Sequence, residues 1–258
     1  MTLVGRSGAP PDQASRLNPC RAHTVRRLAA AFAAALLGVL AGGCQYPRDV
    51  EGTLDRVEGG TMRVGVSHNE PWVTVEGSAP GGVEPEVIRG FAATIDARIE
   101  WVPGDSEQLV EALETGQLDV VLAGFTRSSE HRRKVALTRP YVDTELLLAH
   151  PPGEPMPEER HDVRIGVEAH SQAAGLLDHK TDYGLLELES LAGIDRPALV
   201  WDYWLDDLRL ESTGEDLIDE EHALAVRFGE NAFLVELERY LLEREGVWRS
   251  LVDREGEP

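Results

Sequence analysis
Five residues in this chain set a polar, small or aromatic group at the end of a strand pattern or the start of a helical one. Trp72 follows a first apolar strand, Gly124 and Thr126 follow another, Ser171 opens a helical pattern, and Asp202 follows a later strand. The chemistry they offer is non-covalent. Hydroxyls and free backbone N–H groups at such places hold polar and anionic groups, a carboxylate holds a cation, and an indole supplies an apolar wall. Each also has a purely structural use. Ser171 and Asp202 are good helix N-caps, Trp72 suits a core, and Gly124 with Thr126 suits a turn. The chain has no Gly-rich phosphate loop and no nucleophile-elbow serine, so the expectation is a protein without catalysis, cofactor or resident metal.

The elements that position these residues are read from hydrophobic period and punctuation. Met62 to Val66 is a buried strand. Val87, Ile88, Phe91 and Ile95 share a helix face, with Pro85 near its start. Arg98 to Val102 is a second strand. Asp105 and Gln108 form a capping box for a helix that turns Leu109, Val110 and Leu113 inward and stops at Gly116. Leu118 to Ala123 is a buried strand of parallel type. This alternation predicts a parallel α/β lobe. A Pro-rich connector at 151–155 leads to a second set: a strand from Val163 to Val167, a helix from Ser171, a strand from Ala198 to Trp201 and a helix after Asp202. Residues 178–194 show no clear period. His222 to Phe228 reads as a strand, and Asn231 to Glu243 as a helix burying Phe233, Leu234, Leu237 and Leu241.

The first 43 residues have a different character. Arg21, Arg26 and Arg27 precede an uncharged run from Leu28 to Leu40, and small residues follow up to Cys44. That is the layout of a secretory signal. The run has 13 residues, short of the roughly 20 that span hydrocarbon. The ending Leu40-Ala41-Gly42-Gly43-Cys44 resembles a bacterial lipobox, which implies lipidation of Cys44 and an extracytoplasmic, membrane-anchored protein; the alternative is an ordinary signal with an incidental cysteine. With Cys20 inside the removed part, Cys44 is left alone and no intramolecular disulfide is expected. Residues 44–60 are polar and read as a tether. Residues 1–43 hold five Arg and one Asp, so the formal charge of −21 for the whole chain becomes −25 without them. Such acidity argues against nucleic acid or anionic lipid as partners. It fits either a solvated surface encoded by a GC-rich genome or adaptation to high salt.

From Met62 to Tyr141 the sequence resembles the extracellular solute-binding proteins of family 3, the amino-acid-type receptors of ABC importers. The resemblance rests on RVGV at 63–66, Pro71-Trp72, Gly82-Val83-Glu84, EWV at 100–102, LVEALETGQLDVVLAGFT at 109–126 and LTRPY at 137–141. IGVEAHSQ, ALVWD and HALAVRFGEN extend it through the rest of the chain. It implies an α/β fold of two Rossmann-like lobes with a hinge and a central ligand cleft (periplasmic binding protein-like II). Lobe 1 would take 61–149 and 220–258, and a shortened lobe 2 would take 150–219. The partners implied are a small polar solute and an ABC permease, with the receptor itself a monomer.

Carried over residue by residue, the resemblance puts Gly124 and Thr126 where a turn contacts a ligand carboxylate, Asp202 where an Asp holds the ligand ammonium, and Ser171 at the first helix of lobe 2. Trp72 borders the cleft, and Asn69 lines its wall. Two departures stand out. The Arg that clamps the carboxylate aligns with His131, beside Arg132, and the aromatic that stacks on the ligand aligns with Ser106. A neutral imidazole lacks the bidentate fork of Arg. The alignment also brings His68 and His170 toward the cleft, near Glu70 and Asp202, a set able to take a transition metal or to make capture pH-dependent. Besides transport, two alternatives are open: an enzyme related to cyclohexadienyl dehydratase, or a sensory receptor lipoprotein.

Overall fold
Val64, Gly65 and Val66 are buried in succession, the mark of a strand covered on both faces. In the computed structural model, which describes residues 47–75, 79–153, 156, 163–169 and 183–256, they end β1 (Thr61–Val66). This strand pairs in parallel with β2 (Arg98–Pro103) and β3 (Val120–Leu122). Helix Val83–Thr94 covers one side of the sheet. Its Phe91 meets Phe233 edge-on at 5.8 Å and Tyr240 at 5.6 Å, both on helix Asn231–Leu242. Helix Ser106–Glu114 covers the other side, packing Leu109, Val110 and Leu113 with Leu118, Val121 and Phe125. Asp105 caps it by accepting from Glu107 N at 3.0 Å, and Gly116 leaves it at φ 73°.

The first sheet is completed by β4 (Ala136–Leu137) and β10 (Ala225–Val226), in the order β2-β1-β3-β10-β4, with β10 antiparallel to both neighbours. A second sheet is made of β5 (Val142–His150), β6 (Arg164–Glu168), β7 (Gly184–Leu188), β8 (Ala198–Trp201) and β9 (Glu211–His222). Their order across the sheet is β7-β6-β8-β5-β9. Here β6 is parallel to β7 and β8, while β5 is antiparallel to β8 and β9. The chain therefore passes between sheets twice, before Val142 and after His222. Among the described residues no helix is long and apolar enough to cross a membrane.

Three expectations change. Residues 142–149 belong to the second sheet, so the lobe border lies before Val142 instead of at 149/150, and the return comes after His222. The strand expected over His222 to Phe228 is divided. His222 closes β9, and Leu224 is drawn to Thr138, whose Oγ1 accepts from Leu224 N at 3.0 Å while its own N donates to Leu224 O at 2.9 Å. The tether read over 44–60 does not hold from Asp49 onward. Asp49 Oδ1 accepts from Ala232 N and Phe233 N at 2.7 and 3.0 Å, capping helix Asn231–Leu242. Glu230 in turn accepts from Glu51 N and Thr53 N at 3.0 and 3.1 Å, where the short helix Thr53–Val57 begins. Polar residues there are helix caps, which composition alone does not distinguish from a solvated linker. The signal segment, Cys44 and the helix from Ser171 lie outside the described residues.

Candidate functional site
The turns after β1 and β3 are tied together, and Thr126 bridges to His222 at the end of β9. Asn69 Nδ2 donates to Ala123 O at 2.9 Å. Gly124 adopts φ 64°, and a Cβ there would stand 2.3 Å from Asn69 Nδ2 and 2.7 Å from Trp72 Cδ1, so the turn admits only glycine. Beneath it, Glu84 is wholly buried. Its Oε2 accepts from Gly124 N at 3.1 Å and its Oε1 from Tyr141 OH at 3.3 Å. Burial outweighs those hydrogen bonds and pushes the carboxyl up to about 8.

Trp72 stacks on His222, with centroids 3.6 Å apart and planes at 26°. His222 is buried; its Nε2 lies 2.9 Å from Thr144 Oγ1, and Nδ1 has no partner among the described residues. Burial pulls this imidazole down to about 3, so it is neutral at ordinary pH. Glu220 Oε2 lies 3.7 Å from the same Nε2, and burial raises the Glu220 carboxyl. Thr144 and Glu220 are direct cross-strand partners on β5 and β9.

These residues surround a cavity of about 140 Å³. From the first lobe come Asn69, Glu70, Trp72, Gly124, Thr126 and Ser129; from the second come Thr144 on β5, Glu220 on β9, and Trp201 and Tyr203. Tyr203 is raised well above the usual phenol range by burial and then by the carboxylates of Asp202, Glu220 and Glu168.

Asn69, Trp72, Gly124 and Thr126 all line the cavity. Asp202 stands at its strand end but does not line the cavity. Its Oδ2 accepts from Arg249 Nη1 at 2.6 Å, and Arg249, on the C-terminal helix Glu245–Glu255, also bonds Asp253 at 2.9 Å. Asp202 opens a 3₁₀ turn, which points its neighbours Trp201 and Tyr203 at the cavity and its own carboxylate at Arg249. His131 and Arg132 sit in a 3₁₀ turn over Glu130–Arg133. His131 packs edge-on to Phe125 at 5.5 Å, Arg132 is exposed, and neither lines the cavity. Ser171 and His170 lie outside the described residues. His68 is exposed, 4.0 Å from Glu70 Oε1, and away from the cavity wall; among the described residues no three metal-ligating side chains converge.

Glu70, set near the cleft by the resemblance, also lines the cavity, whereas Ser129, Thr144, Trp201, Tyr203 and Glu220 went unforeseen. Trp201 and Tyr203 carried a signal, since they flank Asp202 and a 3₁₀ turn exchanges which of the three faces inward. Thr144 and Glu220 carried none, because their meeting depends on pairing between distant strands.

Similarity to known proteins follows the same outline. Over 173 residues the chain is 26% identical to the membrane-bound lytic murein transglycosylase F of Photobacterium profundum, covering 66% of this chain and 32% of that protein. Over 97 residues it is 31% identical to the Vibrio cholerae protein of that name, covering 37% and 18%. It therefore spans about a third or less of the length of these relatives. An ancestral cationic amino acid solute-binding protein superposes with a TM-score of 0.63 at 19% identity, covering 78% of this chain and 98% of that one. The periplasmic domain of B. pertussis BvgS gives 0.60 at 17% identity, covering 83% and 47%. These superpositions establish a periplasmic binding protein-like II fold of two mixed α/β lobes. Because residues 62–245 match the bacterial extracellular solute-binding proteins, family 3, the chain belongs to that family.

Proposed function
We propose that this protein is a lipid-anchored receptor that captures a small polar solute between its lobes and delivers it to an ABC permease. The observation that carries this reading is the cavity itself. Residues of both lobes line it, which is the arrangement that lets closure of a hinge enclose a ligand. Similarity to a cationic amino acid binding protein and to a Wolinella succinogenes transporter component complexed with lysine supports the same reading. The anchor is a lipid on Cys44. The protein acts as a monomer and without chemistry of its own. A dehydratase of cyclohexadienyl acids would bind a dicarboxylate, and among the described residues the cavity wall offers Glu70 and Glu220 but no basic side chain.

A thermal-shift screen of amino acids, amines, organic acids and metals tests the receptor reading. A ligand at a hundred times its dissociation constant stabilises the fold by about 2.7 kcal/mol. A screen without any stabilising compound would contradict it, and turnover of prephenate by the purified protein would favour the enzyme instead.

A further inference from the structure
An anionic group entering the cavity would find two backbone donors of the β3-end turn already engaged. Successive N–H groups of a strand-end turn make a cradle for a carboxylate. Here Gly124 N donates to Glu84 Oε2 at 3.1 Å, and Thr126 N donates to Ser129 Oγ at 2.9 Å. The Thr126 and Ser128 hydroxyls bond each other at 2.8 Å. His131 packs on Phe125 and does not line the cavity. Among the described residues no Arg, Lys or His lines the cavity.

What the cavity does present is negative charge and aromatic surface. Glu220, its side chain only 19% exposed, faces an imidazole that burial keeps neutral, and no other ion pair reaches it among the described residues. Glu70 adds a second, exposed carboxylate at the same wall. Trp72, Trp201 and Tyr203 supply three rings. Those of Trp201 and Tyr203 lie parallel within 4°, their centroids 6.2 Å apart. A cation within about 6 Å of such a ring is held by its quadrupole, the more strongly where water is excluded.

We propose that the cleft binds a small organic cation that carries no carboxylate, an alkylammonium or quaternary ammonium, with Glu220 as its counter-ion and the three rings as its walls. This deepens the receptor reading and rests on it. A volume of about 140 Å³ is close to that of the cavity of about 150 Å³ that takes benzene, which suits a ligand of about six or seven non-hydrogen atoms. An inorganic cation is disfavoured because it needs several converging oxygen or nitrogen ligands, and no such trio occurs among the described residues.

Calorimetric titration of the full chain with choline, putrescine, L-lysine and L-glutamate tests the assignment. Choline or putrescine binds, and lysine and glutamate bind at least about tenfold more weakly because no basic side chain among the described residues lines the cavity to balance their carboxylates. Glu220→Gln raises the Kd of the bound amine about tenfold to a hundredfold, the usual scale for losing a charged partner of a desolvated ion. Trp201→Leu weakens binding independently and serves where Glu220→Gln melts early. Tighter binding of lysine or glutamate than of either amine overturns the cation assignment and leaves the receptor reading in place. So does amine binding that neither variant weakens. Failure of choline and putrescine at millimolar concentration overturns the assignment as well, and if the wider thermal screen also finds no ligand, the receptor reading falls with it.

Discussion
Replacing Glu84 by Gln should change how stability depends on pH, by an amount the burial of that carboxyl sets. Glu84 lies fully enclosed under the Gly124 turn, and its carboxyl is pushed from the usual 4.5 up to about 8. Between those values the folded protein keeps a proton that the unfolded chain has released, so stability falls as pH rises. The slope is about 1.4 kcal/mol per pH unit, and it flattens above about 8, where both states are ionised. His222 acts in the opposite sense. Its imidazole is held down to about 3 from the usual 6.5, so its contribution is complete above 6.5 and is lost as pH falls. The two slopes offset each other from about 4.5 to 6.5, and from 6.5 to 8 Glu84 acts unopposed, lowering stability by about 2 kcal/mol. Burial also raises Glu145, Glu168 and Glu220, but these are common to both proteins and cancel in their difference. Glu84→Gln keeps an acceptor for Gly124 N and cannot ionise. Urea denaturation of both proteins at pH 5, 6.5 and 8 reads the effect. The variant should gain on the wild type by about 2 kcal/mol between the last two, a shift of about 4–8 °C in Tm for a protein of this size. Parallel pH profiles would refute the assignment of Glu84 as a buried, proton-holding carboxyl.

Gly124→Ala should cost about 1–3 kcal/mol of stability and abolish ligand binding, since its Cβ would stand 2.3 Å from Asn69 Nδ2 at φ 64°; unchanged melting and affinity would contradict the tied-turn geometry. Arg249→Ala should lower stability by about 1–2 kcal/mol, a value reduced for the half-exposed guanidinium, because Asp202 is left largely buried without its cation; chemical denaturation measures it. Cys44→Ala should release the protein from the membrane fraction, because stable anchoring takes at least two acyl chains and these would be lost with the thiol; retention after a carbonate wash would count against lipidation.

How far the sequence was legible depends on what each segment packs against. The first lobe was readable because β1 and β3 are buried on both faces and the intervening helices carry caps and stops, Asp105 and Gly116 among them. β9 was not, because as an edge strand it carries Glu211, Glu215, Asp216, Asp219, Glu220 and Glu221 in place of an apolar period. Missing β9 also hid its partner β5, and with it the lobe border. Gly124 and Thr126, placed by a strand end, line the cavity. Residues in 3₁₀ turns were misjudged: His131 is rotated onto Phe125 and Asp202 toward Arg249. Glu84 illustrates the remaining gap. A glutamate near a helix start reads as a favourable helix-dipole charge, and only the tertiary structure reveals that it lies beneath the Gly124 turn with its carboxyl wholly enclosed.

The central claim, that the two lobes close on a captured solute, is tested most directly by small-angle X-ray scattering with and without the tightest-binding compound from the thermal screen. The account predicts a smaller radius of gyration at saturation, as the lobes close about the strands that cross before Val142 and after His222. A scattering profile unchanged at full occupancy would contradict it.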